Sequence, residues 1–421
     1  MSEVATARRR PERVVVVGAG IVGLSCAWSL QEHGVEVEVV ERHHPGAGAS
    51  WGNAGYLTPP LTVPLPEPAI LRYGFRAVLD PNSPVSLPLM RADAARVRFL
   101  AAMARHCTNL RWQQSMSVFR LLNAGIFDAY DAQQASGLAA ATTPIELVAG
   151  YGKAKHAAGL LDELRGVAAS GQHVDLDLLS GAEARELEPH FSERVAFGIR
   201  LRNQRYITPS AYVQALTHHV RTRGAKIREA TPVTAVQADR DRVTVHTEDV
   251  SLDADAVVLA NGAWLPALAR PHGVKVAMQA GRGYSFTVPT PEPLRTLVYV
   301  QAARVAIAPA GDRARVTGLM EFDRPDAPPD PAAIQTIMKS VRPLVDGLVW
   351  DERADDWVGP RPLTADGLPL VGATRTPGVY VAGGHGMWGV TLGPLTGQLL
   401  AEQIVTGRKD FRLDALDPCR T

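Results

Sequence analysis

The chain has 421 residues, 46% hydrophobic and 21% charged, with 44 Lys plus Arg against 43 Asp plus Glu and a formal net charge of +1. That length exceeds what one hydrophobic core usually serves, so about two domains are expected. The ordinary composition excludes a disordered or fibrous chain, and the balanced charge gives no electrostatic footing for nucleic acid as a partner.

The opening MSEVATARRRPER is basic, but only four valines follow before glycine, too short a run for the apolar core of a signal peptide. No uninterrupted apolar stretch reaches the ~18 residues of a membrane span. Cys26, Cys107 and Cys419 are odd in number, far apart and without a CxxC, which suits a reducing compartment with the first two thiols buried and inert. A cytoplasmic protein is expected, with peripheral contact to a membrane as the alternative.

Residues 13–41 carry the clearest pattern. Arg13–Val17 is a short run of β-branched residues, fit for a buried strand. Gly18, Ala19, Gly20, Ile21, Val22 and Gly23 follow as GxGxxG, and Leu24 to His33 have helical spacing closed by Gly34. A second strand, Val35–Val40, ends in Glu41, with Arg42 beside it. The glycines allow a tight turn and a close backbone approach to a pyrophosphate, whose charge rests on the helix N-terminus. Glu41, about 20 residues on, is placed to accept hydrogen bonds from ribose hydroxyls and disfavours a 2′-phosphate. NAD and FAD both remain open at this point.

The next stretch, RHHPGAGASWGNAGYLTPP, is too glycine-rich for a long regular element. Ser50, Asn53, Ala54 and Gly55 are candidates to wrap the cofactor, the alternative being an ordinary surface loop. Residues 59–90 are proline-rich and read as an irregular cover. Residues 91–136 read as helices, with Arg98, Arg105 and Arg111 on either a solvated face or a membrane-surface face.

Residues 144–207 mix short strands with a helix over Ser180–Leu187. Thr208, Pro209 and Gly224 bound a further helix. Strand character returns at Lys226–Glu229, Val233–Gln237 and Val243–Thr247, and DADAVVLANGAW then gives a buried strand opening on the turn Asn261–Gly262. Residues 275–325 alternate with a period of two, predicting an antiparallel sheet and hence a second domain. A helix is expected over Ile334–Val345. The last segment predicts a strand over Gly378–Ala382, a glycine-dense turn and a helix of about fifteen residues.

VVVVGAGIVGLSCAW, ANGAW, GPRPLTADGLPLVG and GGHGMWGVTLGPLTG, in this order, resemble the D-amino-acid oxidase and glycine oxidase family of FAD enzymes. SWGNAGYLTP, GYSFTV and RVTGLMEF are similar to its D-amino-acid dehydrogenase branch. The resemblance implies an α/β fold (α+β overall): a discontinuous Rossmann-like FAD-binding domain over 12–58, 208–275 and 353–421, and an antiparallel-sheet substrate or lid domain over 59–207 and 276–352. It implies non-covalent FAD, an amino acid as substrate and oxygen or a quinone as electron acceptor.

On that basis the cofactor is expected to meet Val233, Asn261 and Gly262, and a second helix N-terminus at Gly384, His385, Gly386, Gly389, Val390 and Thr391. A helix N-terminus there suits the negative charge that arrives on a reduced flavin ring. Arg361 of GPRP matches the family arginine that clamps the substrate carboxylate, a task suited to a planar, permanently charged fork. The alternative is an ion pair with Asp351, Asp355 or Asp356. Tyr284 and Tyr56 are candidates to place hydroxyls over the flavin, or are core tyrosines. His385 is either a hydrogen-bonding partner of flavin or substrate, or a turn histidine bonded to backbone.

Two departures from glycine oxidases stand out: HGMWG lacks the arginine of their turn, and Ala306 replaces their strand tyrosine. Both favour a substrate larger than glycine. A secondary-amine oxidase and a non-catalytic flavin subunit are the alternative readings.

Overall fold

The computed structural model describes residues 10–68, 85–86, 93–239 and 242–420. The remainder of the proline-rich stretch expected as a cover lies outside the described residues.

The first sheet is built as the glycine fingerprint requires. Strand β1 (Arg13–Val17) leads through Gly18–Gly20 into helix α1 (Ile21–Glu32), and Gly34, at φ +72°, turns the chain into β2 (Glu36–Val40). β1 is flanked by two parallel neighbours, β2 and Ala256–Leu259. Lys226–Arg228 extends the sheet beyond β2, and Val379–Gly383 and Leu370–Ala373 extend it beyond Ala256–Leu259. Only Leu370–Ala373 runs antiparallel. β1 is fully buried at Val14, Val15 and Val16, as expected for a strand covered on both faces.

Helix α1 packs against Pro209–Thr222 and the final helix, Gly389–Thr406. A Cβ at Gly397 would lie 2.5 Å from Ser25 O, so glycine is what permits the two helices to approach this closely. A small antiparallel sheet of Val233–Ala238, Val243–Thr247 and Ser251–Ala254 sits beside this unit.

The second large sheet has ten strands and draws on four stretches of chain. The expected antiparallel strands over 275–325 are present as Met278–Pro289, Leu297–Val300, Val305–Ala310 and Arg313–Asp323. Thr143–Tyr151 joins Leu297–Val300 in parallel and is itself paired with Phe197–Tyr206. One edge differs from the division expected at residue 353. Ala354–Thr364 pairs antiparallel with Met278–Pro289 and so belongs to this sheet rather than to the dinucleotide unit. Tyr56–Leu57 likewise pairs with Phe197–Tyr206. Backbone pairing, which composition does not reveal, sets both boundaries.

The helices expected over 91–136 appear as Ala94–His106, Asn109–Asn123 and Ile126–Ala135, with Arg98, Arg105 and Arg111 exposed. Among the described residues no helix is long and apolar enough to cross a membrane.

Candidate active site

A cavity runs along the carboxyl ends of the first sheet's strands, where open α/β sheets hold their ligands. Gly18, Gly20, Ile21 and Val22 line it at the start of α1, and Gly386, Met387, Gly389 and Val390 line it at the start of the final helix. Two helix N-termini therefore open on one space. Neither has an acidic residue in its first turn or a cap from its own N-cap side chain, so apart from the Ile21 N–H, which Ser50 Oγ accepts, they offer a positive dipole end to an anion or an electron-rich ring. At Gly18, φ is +106° and a Cβ would sit 2.6 Å from Ala260 O, so both the turn and the close approach require glycine.

Glu41 and Arg42 line the cavity beyond β2. The Glu41 carboxylate accepts the Ala19 N–H at 2.8 Å and the His43 N–H at 3.0 Å, which fixes it at the wall. Ser50 and Asn53 also reach the cavity; Ser50 Oγ accepts the Ile21 N–H at 3.1 Å, and Asn53 Oδ1 accepts the Gly55 N–H at 2.8 Å. Val233, Asn261 and Gly262 line it from the following segments. Asn261 Oδ1 is buried there without a hydrogen-bond partner among the described residues.

Several expected residues stand behind the wall rather than on it. Ala19 contributes its N–H to Glu41. Gly23 packs on the Gly18 carbonyl, and Gly55, at φ +76°, packs on that of Ile207. Ala54 is buried, Gly384 turns the chain at φ +67°, and Thr391 Oγ donates to the Tyr56 carbonyl at 3.1 Å.

Arg361 is on the cavity wall. It lies on the Ala354–Thr364 strand opposite Gly281, and its guanidinium lies across the neighbouring strand, where a methyl on Gly283 would overlap it. Nη1 donates to the Leu319 carbonyl at 3.3 Å. Each aspartate offered as a structural partner is engaged elsewhere: Asp351 with Arg342 at 3.0 Å, Asp356 with Arg353 at 3.3 Å, and Asp355 with Thr287 at 2.9 Å. Burial pulls the Arg361 pKa down to about 10, which leaves it cationic at neutral pH.

His385 is buried on the same wall, with Nε2 2.9 Å from Thr396 Oγ, and burial lowers its pKa to about 4. The two tyrosines are placed otherwise. Tyr284 is 1% exposed and away from the cavity wall; its hydroxyl donates to Glu321 at 2.7 Å and accepts the Asp330 N–H at 2.8 Å. Strand alternation decides this, because Arg361 and Gly283 share one face of the sheet and Tyr284 takes the other. The Tyr56 hydroxyl is held by the Val298 carbonyl at 2.7 Å and by the Ile307 carbonyl at 3.0 Å.

Sequence reasoning passed over Ala47–Ala49, Trp264, Met387 and the prolines 360 and 362, all of which line the cavity. The prolines and Trp264 stood inside the quoted GPRP and ANGAW, so the signal was present.

The DAO profile, described as FAD dependent oxidoreductase, matches residues 13–403. The chain belongs to the DAO family. It is 32% identical over 405 residues to a D-amino acid dehydrogenase of Cereibacter sphaeroides (strain ATCC 17029), covering 94% of this chain and 92% of the relative. A D-amino acid dehydrogenase of Rhizorhabdus wittichii is 29% identical over 408 residues, covering 94% and 97%. Among solved structures, glycine oxidase from Geobacillus kaustophilus shares the fold with a TM-score of 0.74 at 22% identity, over 99% of this chain and 100% of that one. L-proline dehydrogenase from P. horikoshii does so with a TM-score of 0.70 at 17% identity, over 98% of each.

As a DAO-family protein the chain is an FAD-dependent oxidoreductase. The cavity fits that cofactor: two unneutralised helix N-termini, a fixed carboxylate, a glycine turn that excludes any side chain and an orphaned buried amide oxygen face one space.

Proposed function

We propose that the protein oxidises an amino acid, most readily a D-amino acid, at its Cα–N bond, giving an imino acid that water hydrolyses to a 2-oxo acid and ammonia. The observation that carries this reading is Arg361: a half-buried cation on the cavity wall whose candidate carboxylate partners are all engaged elsewhere. A substrate carboxylate would complete it. The choice of D-amino acids leans on the curated relatives named D-amino acid dehydrogenase.

Bound FAD supplies the acceptor for the hydride that leaves Cα. Gly18–Gly20, Glu41, Ser50 and the start of the final helix would hold it. The chain's own work is then orientation and electrostatics. Arg361 fixes the carboxylate, and with it the position of Cα. Glu41 is tied to two backbone N–H groups, and His385 is held neutral against Thr396, so neither is offered as a base. No protein base is required if the substrate amine binds unprotonated. Ala306, opposite Tyr299 and Thr317 in the sheet, stands where glycine oxidases are expected to carry a tyrosine, which supports a substrate larger than glycine.

An anaerobic visible spectrum of the holoenzyme, titrated with D-amino acids, L-amino acids and N-methylglycine, tests the reading. Bleaching by D-amino acids alone is expected, and readmitted air then separates an oxidase from a dehydrogenase by how fast the yellow returns. Bleaching by N-methylglycine alone would replace the reading with secondary-amine oxidation.

A further inference from the structure

Arg42 and Trp264 reach the cavity from opposite sides of β1. Arg42 follows β2, and Trp264 ends the turn after Ala256–Leu259; these are the two strands that flank β1. Both side chains line the cavity, yet they meet, with the Arg42 guanidinium 3.5 Å from the centroid of the Trp264 ring. Residues rooted on either side of β1 can only meet by spanning the crevice at its carboxyl end, where the dinucleotide fingerprint opens.

A third group comes from the other sheet. Asp326 lies in the loop after Arg313–Asp323; its Oδ1 accepts Arg42 Nη2 at 3.0 Å and its Oδ2 accepts Trp264 Nε1 at 2.8 Å. The residues that follow are anchored. Buried Arg282 donates to the carbonyls of Ala327 at 2.7 Å and Pro328 at 3.1 Å, and Tyr284 Oη accepts the Asp330 N–H. An exposed ion pair alone contributes little. Here one carboxylate fixes a planar guanidinium and an indole N–H on separate oxygens while those two groups stack, so each contact restricts the others.

We propose that Asp326 locks Arg42 and Trp264 into a strap across the dinucleotide crevice, and that this strap governs how slowly FAD leaves. Asp326 is thus a positioning residue for the cofactor, supplied by the sheet that carries Arg361. The inference does not depend on which amine is oxidised.

The test follows FAD release from holoenzyme after dilution, by recovery of flavin fluorescence, without substrate. Asp326→Ala is expected to release FAD roughly tenfold faster, on the scale of the charge-assisted hydrogen bonds it removes. Trp264→Phe, which keeps the ring and removes the N–H, should fall between. Release from the unaltered protein should quicken with salt, and release from Asp326→Ala should not. Asp162→Ala, which removes an exposed carboxylate paired with Arg165 and not on the cavity wall, should match the unaltered protein. Release from Asp326→Ala at or below the unaltered rate would overturn the strap. Should that variant fail to fold, an unchanged rate in Trp264→Phe would overturn it equally.

Discussion

Among the described residues Arg361 has no carboxylate partner, and on the reading proposed above a substrate supplies its counter-charge. Arg361→Ala should raise KM for an amino acid by about 10- to 100-fold, since one charge-assisted hydrogen bond contributes ~1.5–3 kcal/mol and ~1.4 kcal/mol is tenfold. Arg361→Lys should recover only part of this, because it keeps the charge and loses the planar fork; steady-state kinetics on both variants decide it. His385 gives a second handle. Its pKa is held at about 4 against an ordinary 6.5, so between these values the unfolded chain binds a proton that the folded chain does not. Stability is therefore lost as pH falls from 6.5 towards 4, at most ~1.4 kcal/mol per pH unit. His385→Gln should flatten that loss, as read from urea midpoints at pH 7 and pH 5. At this scale the sequence was legible where a residue type has one suitable job. Gly18, Glu41 and Arg361 all lie on the cavity wall. Tyr56 and Tyr284 were not legible, because a tyrosine suits a core as well as a site and only the register of its strand tells which face it takes.

At the scale of elements, the loop that carries Asp326 depends on a buried pair. Arg282 and Glu321 are 1% and 3% exposed and 2.8 Å apart. Glu321→Gln keeps the shape and leaves the guanidinium's charge uncompensated, which should cost about 3–5 kcal/mol in a denaturant titration. Most helices and strands were legible from apolar periodicity and from caps. The helix expected over Ser180–Leu187 is present as Gly181–Leu187, started by a capping box with Ser180 Oγ accepting the Glu183 N–H and the Glu183 carboxylate accepting the Ser180 N–H. The partner of each strand was not legible. Ala354–Thr364 reads as a continuation of the glycine-rich tail, yet its hydrogen bonds go to Met278–Pro289.

Across the whole molecule, the cofactor cavity collects residues from 17 to 390. A ligand that fills it ties together stretches that are remote in sequence, and because the unfolded chain lacks the cavity, binding is stabilisation. Free FAD at about 100 times its Kd should add ~2.7 kcal/mol, visible as a rise in Tm between apoprotein and holoprotein that grows with the logarithm of FAD concentration. A protein whose melting ignored FAD would contradict this.

The bare backbone beneath Arg361 has a consequence for how such an enzyme can change. A methyl at Gly283 would overlap the guanidinium, and one at Gly359 would overlap the Trp357 ring. On the reading that Arg361 anchors a substrate carboxylate, that anchor is moulded to Gly283, which tolerates no side chain while Arg361 lies flat. New substrates would then be reached through other parts of the cavity wall, with the anchor left as it stands. Diversity in such a lineage would appear as a change of which side chain is accepted, with the acid group as the fixed coin of recognition.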